Sequence, residues 1–211
     1  NPELWREDSI VINGDIRDVN ILGNGIPQVE VLCGGVPCTG ASRAGAVKNK
    51  LSCAEEHSTA GTLFHDYLEW VKVTNPAIVV LENVVEYQKS SAMTVIRSVL
   101  THLGYELSET VLDGPSLGSL EKRKRLCMVA TTPGICGPVD FEQLVPVRQK
   151  EEKLADVLDF VPVDSDRWKS YDYLATKETR DKASGKGFMR QLLTGEEDGC
   201  GVLGRGYAKA R

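Results

Sequence analysis

Ala77-Ile78-Val79-Val80-Leu81-Glu82-Asn83-Val84 decides how the chain is read. Its unbroken apolar run fits a strand buried on both faces of a parallel sheet. Such a strand needs crossover helices, and the sequence supplies one on each side. Upstream, Leu63, Tyr67, Trp70, Val71 and Thr74 fall at helical spacing. That helix is predicted to stop before Asn75-Pro76, because the residue before proline disfavours helical backbone. Downstream, Ala92, Val95, Ile96, Val99, Leu100 and Leu103 mark a second helix, with Gly104 as its stop. Tyr105 to Leu112 and Arg125 to Thr131 read as two further strands around a Gly/Pro/Ser loop. Towards the start, Ser9 to Asn13 reads as a short strand, Gly14-Asp15-Ile16 as a turn, and Val29 to Cys33 as the second strand. Strands alternating with helices predict a doubly wound α/β sheet.

In such sheets ligands bind outside the carboxyl ends of the strands. Asp15, Cys38 and Glu82 all fall just past such an end. Cys38 lies in Cys33-Gly34-Gly35-Val36-Pro37-Cys38-Thr39-Gly40-Ala41-Ser42, where proline stiffens the backbone before the thiol and glycines admit a ligand. Cys38 is the candidate nucleophile; Cys33, Cys53, Cys127, Cys136 and Cys200 read as small buried hydrophobes. Glu82 closes an apolar strand, so its carboxylate is either satisfied by backbone donors, Arg123 or Arg125, or used as a proton donor to a ring nitrogen. Asn83 reads as a structural amide bracing loops. In Glu121-Lys122-Arg123-Lys124-Arg125, extended backbone puts Arg123 and Arg125 on one face and the two lysines on the other. Two guanidinium groups on one side suit a phosphate or a polar base edge. Asp15 is a turn residue or an acceptor for an exocyclic amine.

The chain has 211 residues, a net charge of -5 and no apolar run approaching a membrane span, and no signal peptide is visible. The charge argues against a uniformly basic surface but leaves room for a local basic face. The cysteines lack zinc-type pairing, so a reduced, intracellular protein without a metal is expected. The chain opens on Asn1-Pro2 and not on Met, and reads as a fragment cut at both ends. Residues 1–145 read as a core domain and 146–211 as the start of a second, irregular one. In the latter, Lys153 to Leu158 gives one short helical segment, and beyond Asp164 the chain is polar and aromatic-dotted. Arg43 to Ser58 reads as a mobile loop.

Taken together these pieces resemble the DNA (cytosine-5)-methyltransferase family, from about Asn13 to Ala130. Gly35 to Ser42 resembles its Pro-Cys catalytic loop. Gly61-Thr62-Leu63-Phe64, then Asn75-Pro76, then the strand into Glu82-Asn83-Val84 is similar to the next two motifs. Leu103-Gly104-Tyr105 and Glu121-x-Arg123-x-Arg125 resemble the later ones. The resemblance implies a Rossmann-like, S-adenosylmethionine-dependent methyltransferase sheet followed by a smaller target-recognition region. It implies that Cys38 attacks C6 of a cytosine flipped out of duplex DNA, that Glu82 contacts N3, and that C5 receives the methyl group. Arg125 would hold the base or its phosphate and Arg123 the catalytic loop. Asp15, Ile16, Pro37 and Leu63 would line the cofactor site. Ser42, Lys182, Lys186, Arg190 and Arg205, with Lys209 and the interleaved glycines, are the candidate DNA contacts. An ordinary solvated loop is the alternative for that last region.

The chain departs from the family at Thr39 and Glu121, where glutamines are usual. The family's first glycine-rich cofactor loop would precede Asn1 and its closing segments would follow Arg211, so the expectation is weak cofactor binding and no activity for this piece alone. Double-stranded DNA is the expected partner, with no membrane and a monomer at full length, in the cytoplasm of a bacterial or phage-type system. Rival readings are a tRNA-methylating relative, though its Cys-Phe-Thr signature is missing, and a non-catalytic or split DNA-binding subunit. A Cys-His thiol hydrolase would use His57, His65 or His102, none of which lies in a matching motif.

Overall fold

The computed structural model describes residues 6, 9–23, 25–38, 61–168 and 170–203. Its regular elements are β1 (Val31–Gly34), α1 (Leu63–Thr74), β2 (Ile78–Asn83), α2 (Ser91–His102), β3 (Glu106–Asp113), β4 (Lys124–Thr131) and α3 (Asp172–Ala183). The strands form one sheet in the order β1-β2-β4-β3. β1 runs parallel to β2, with Val31 opposite Ile78 and Gly34 opposite Leu81. β4 runs antiparallel to β2, with Glu82 opposite Cys127. The sheet is therefore mixed, where the apolar run of β2 alone suggested a parallel neighbourhood. The crossovers through α1 and α2 both advance in one direction across the sheet. With the usual right hand of such connections, both helices fall on one face, and they do touch each other.

The register explains the burial. Residues directly opposite point to the same side, so Val79, Leu81 and Asn83 share a face with Leu126, Met128 and Ala130. All six are buried, packed under Phe64, Tyr67, Leu68 and Val71 of α1 and Met93, Ile96 and Leu100 of α2. Each fully buried aliphatic side chain contributes about 1.5–3 kcal/mol. The opposite face is more open. Ile78 and Val80 are half-buried there, and Val31 and Cys33 are exposed. Cys33 is thus not the buried hydrophobe expected, because its place in β1 turns it away from the helices. Cys127, Cys136 and Cys200 are half-buried, and Cys53 lies outside the described residues.

Helix ends follow their local chemistry. α1 stops at Thr74, and Asn75 takes a left-handed φ of 43°, which asparagine tolerates, before Pro76. Ser90 caps α2, its hydroxyl accepting from the Met93 N–H at 3.1 Å. Gly104, at φ 93°, ends it. The buried stripe of α2 is Ala92, Met93, Ile96 and Leu100; Val95 and Leu103 are exposed, a rotation from the expected face in which Met93 takes the inward position. Ser9 to Asn13 forms no strand: Ile10, Val11 and Ile12 are exposed and pair with no strand among the described residues. β-branched residues favour a strand only where a partner supplies the ladder.

Two compact units are present, Asn1–Val111 with Arg125–Phe141, and Leu112–Lys124 with Glu142–Arg211. The second holds α3, in a segment expected to be irregular. α3 has no apolar stripe for a periodicity argument to find, and its one buried residue is Asp181. It is fastened by its side chains. The Lys177 ammonium sits 3.8 Å over the Phe188 ring. Glu178 accepts from the Arg190 backbone N–H at 3.0 Å and from its Nε at 2.7 Å. The Lys153 to Leu158 segment is a single 3-10 turn, Leu154–Asp156. Among the described residues no helix is long and apolar enough to cross a membrane.

Candidate active site

Parallel pairing of β1 and β2 sets their carboxyl ends side by side, with the Cys38 loop leaving one and Glu82 closing the other. Gly34, the last residue of β1, has no room for a side chain. A Cβ there would stand 2.5 Å from the Tyr67 ring. Tyr67 donates weakly to the Val80 carbonyl at 3.4 Å, and burial pushes its phenol well above its ordinary range. Gly35 differs: a Cβ there would meet only the Glu82 carbonyl at 3.7 Å and Glu82 Oε2 at 3.8 Å. Its missing side chain leaves space against the carboxylate.

Glu82 is exposed, and its Oε1 accepts from Arg125 Nε at 2.7 Å. Arg125 lies two residues from Cys127, the direct partner of Glu82, so the pair is a diagonal one on the open face of the sheet. Arg125 is the more buried partner, its side chain 24% exposed against 58% for Glu82. Satisfaction by Arg125, one of the sequence alternatives, is therefore realised, and Oε2 still faces the space at Gly35. Burial, then the charge of Glu82, then Cys33 push the Cys127 thiol upward. Cys38 is half-buried and Pro37 exposed.

Arg123 does not share Arg125's strand, because β4 begins only at Lys124. It belongs to the second unit and pairs with Glu121 at 3.5 Å. Glu121 Oε1 also accepts from the Leu203 N–H at 2.9 Å. Lys122 reaches Asp198 at 2.8 Å. The basic run is thus distributed among separate carboxylates.

Asp15 caps a 3-10 turn, Ile16–Asp18. Its Oδ1 accepts from Arg17 N and Nε at 3.0 and 2.9 Å, and its Oδ2 from the Arg17 guanidinium at 2.5 Å. These hydrogen bonds hold its carboxyl far below the usual carboxylate range. Ile16 beside it is exposed, and Leu63 at the start of α1 is half-buried. Lys182 and Lys186 are exposed, whereas Arg190 is engaged by Glu178. Ser42, Arg205, Thr39, His57, Lys209 and the Arg43 to Ser58 loop lie outside the described residues. The sequence reading missed the clamp of Tyr67 on Gly34; two successive glycines at a strand end were the signal for a close approach. Among the described residues, no group of three or more His, Cys, Asp or Glu side chains is placed to hold a metal ion.

The chain is similar to known proteins. The family model for C-5 cytosine-specific DNA methylase matches residues 4–194. The type II methyltransferase M.MspI of Moraxella sp is 34% identical over 124 residues, 57% of this chain and 28% of that protein. The type II methyltransferase M1.ScrFI of Lactococcus lactis subsp. cremoris is 28% identical over 205 residues, 93% of this chain and 50% of that protein. The chain thus spans half or less of the length of these two relatives. The S. pombe Dnmt2 methyltransferase structure superposes with a TM-score of 0.61 at 19% identity, covering 85% of this chain and 51% of that one. That likeness shows the fold, a Rossmann-like α/β sheet.

Proposed function

Because the chain belongs to the C-5 cytosine-specific DNA methylase family, we propose that it carries the reacting side chains for methylating C5 of cytosine in duplex DNA. The observation that supports this most is the Glu82–Arg125 pair, closing β2 beside the strand end from which the Cys38 loop departs.

The target base leaves the stack, since C6 is inaccessible within it. The Cys38 thiolate bonds to C6, and the electron pair of the C5–C6 double bond becomes available at C5. Glu82, having taken up a proton from solvent on Oε2, the oxygen facing the space at Gly35, delivers it to N3, so that negative charge does not build up in the ring. Arg125 fixes the other carboxyl oxygen and with it the direction of that proton. After C5 has gained its methyl group it loses its proton to a base. The electrons of that C–H bond re-form the double bond, the Cys38–C6 bond breaks, the thiolate is released, and N3 returns its proton to Glu82.

The residues named for the cofactor fit an adenine. Asp15 Oδ2 carries one hydrogen bond among those described and retains an acceptor position, and Ile16 offers an exposed aliphatic side chain next to it. S-adenosylmethionine, its adenine held by Asp15 and Ile16 with Pro37 and Leu63 as further apolar contacts, would supply the methyl group. Lys182 and Lys186 are exposed and placed to meet phosphates, and Ser42 and Arg205 join them on sequence grounds.

Trapping tests the proposal. Duplex DNA containing 5-fluorocytosine, incubated with the protein that carries this chain and S-adenosylmethionine, is expected to form a covalent adduct, because fluorine at C5 cannot leave as a proton does. Cys38→Ser abolishes it. Absence of adduct across varied duplexes refutes the reading.

A further inference from the structure

The backbone ladder between β1 and β2 ends at Gly34 and Leu81. Two residues further on, in the same register, Val36 would face Asn83. No ladder joins them, but a side chain does: Asn83 Nδ2 donates to the Val36 carbonyl at 2.9 Å. Asn83 is 3% exposed, and its Oδ1 accepts from the Val84 N–H at 2.8 Å. Both ends of a buried amide are thereby used, and its orientation is fixed. An amide left unpaired at such a site is costly, so the bridge is specific rather than incidental.

The bridge sits between the two reacting groups. Asn83 follows Glu82 directly. Val36 precedes Cys38 by two residues, and the intervening Pro37 has a ring-restricted φ and no N–H with which to form a competing bond. Val36 is itself buried in the core. We propose that Asn83 is a positioning residue: its side-chain amide sets where the Cys38 loop leaves the sheet relative to the Glu82 carboxylate. The inference rests on the cytosine-5 reading above. The side chain replaces a ladder that would have continued past Gly34, so the space at Gly35 stays open while the loop remains anchored.

The test is single-turnover adduct formation on 5-fluorocytosine duplex with cofactor, measured beside DNA affinity and thermal stability. Asn83→Ala is expected to slow adduct formation by on the order of 100-fold, as misplacement of a reacting group by about 1 Å does, with DNA affinity within about two-fold of the parent. Val84→Pro provides a second route, should Asn83→Ala lose the fold. Val84 already has φ -70° and ψ 152°, which proline accepts. The substitution removes the N–H that orients Asn83 without touching its own donor. A folded variant that forms adduct at the parental rate overturns the inference, as does an equal loss of rate and DNA affinity. A parent protein that forms no adduct overturns the cytosine-5 reading and this inference with it.

Discussion

The two compact units are held together by different physics. In the sheet unit, Val79, Leu81, Leu126, Met128 and their helical neighbours form one apolar cluster. In the second unit only Leu120 and Leu154 are buried among the described apolar side chains. There, Lys122–Asp198, Arg148–Glu151, Lys153–Glu196 and Arg190–Glu178 pair at or near the surface. Apolar burial is not weakened by ionic screening and is tied to shape; exposed ion pairs are screened and individually weak. The unit with the proposed reacting groups is thus held by its apolar core, and the unit with the candidate DNA contacts internally by exposed ion pairs.

That contrast can be broken first at the glycines. Gly34→Ala forces a methyl into the Tyr67 ring and is expected to destabilise the sheet unit by about 1–3 kcal/mol, read by denaturant unfolding. Gly35→Ala meets only ordinary contacts and leaves stability within about 0.5 kcal/mol, but crowds Glu82 Oε2 and slows adduct formation. Equal stability losses would mean that Tyr67 yields, and that the strand end is softer than described.

A smaller effect tests the sheet unit's principal ion pair. Glu109 accepts from Arg97 Nε at 2.6 Å and from its terminal nitrogen at 2.8 Å, while the same arginine donates to the Gln88 carbonyl. The Arg97 hydrogen bond holds the Glu109 carboxyl below its ordinary range. A depressed carboxyl stabilises the fold above its unfolded pKa, and the contribution disappears as pH falls through the folded value. Glu109→Gln therefore costs about 1 kcal/mol near neutrality and nothing in strong acid. A stability difference that persists undiminished in acid removes the ion pair as its cause.

The smallest effect belongs to the second unit. Arg190→Ala, which releases the chain after α3 from Glu178, should change stability by less than about 1 kcal/mol, an effect that fades in high salt. It should also leave the salt slope of DNA affinity unchanged, whereas Lys182→Ala with Lys186→Ala lowers it by roughly one for each phosphate no longer neutralised. A slope change from Arg190→Ala would return that residue to the DNA contacts.

This division also explains what could be read in advance. The apolar run of β2, the spacing in α1 and the Asn75-Pro76 stop are local signals, and they placed the strand ends and with them Cys38 and Glu82. The antiparallel entry of β4 was hidden, because buried strands look alike whichever way their neighbour runs. α3 was hidden because its support comes from Phe188 and Arg190, outside its own periodicity. Asn83 was legible as a bracing amide, but its partner, 47 residues away, was not. Arg123 and Arg125 looked equivalent by alternation, and parted once the strand began between them.

The Tyr105 hydroxyl donates to the Pro76 carbonyl at 2.6 Å. That phenol ends the second crossover, and the carbonyl ends the first. A single buried contact thus closes both βαβ loops at once, so neither crossover opens without straining the other. Amide protons of β2 and α2 should then exchange together, as one cooperative folding unit with a common opening free energy.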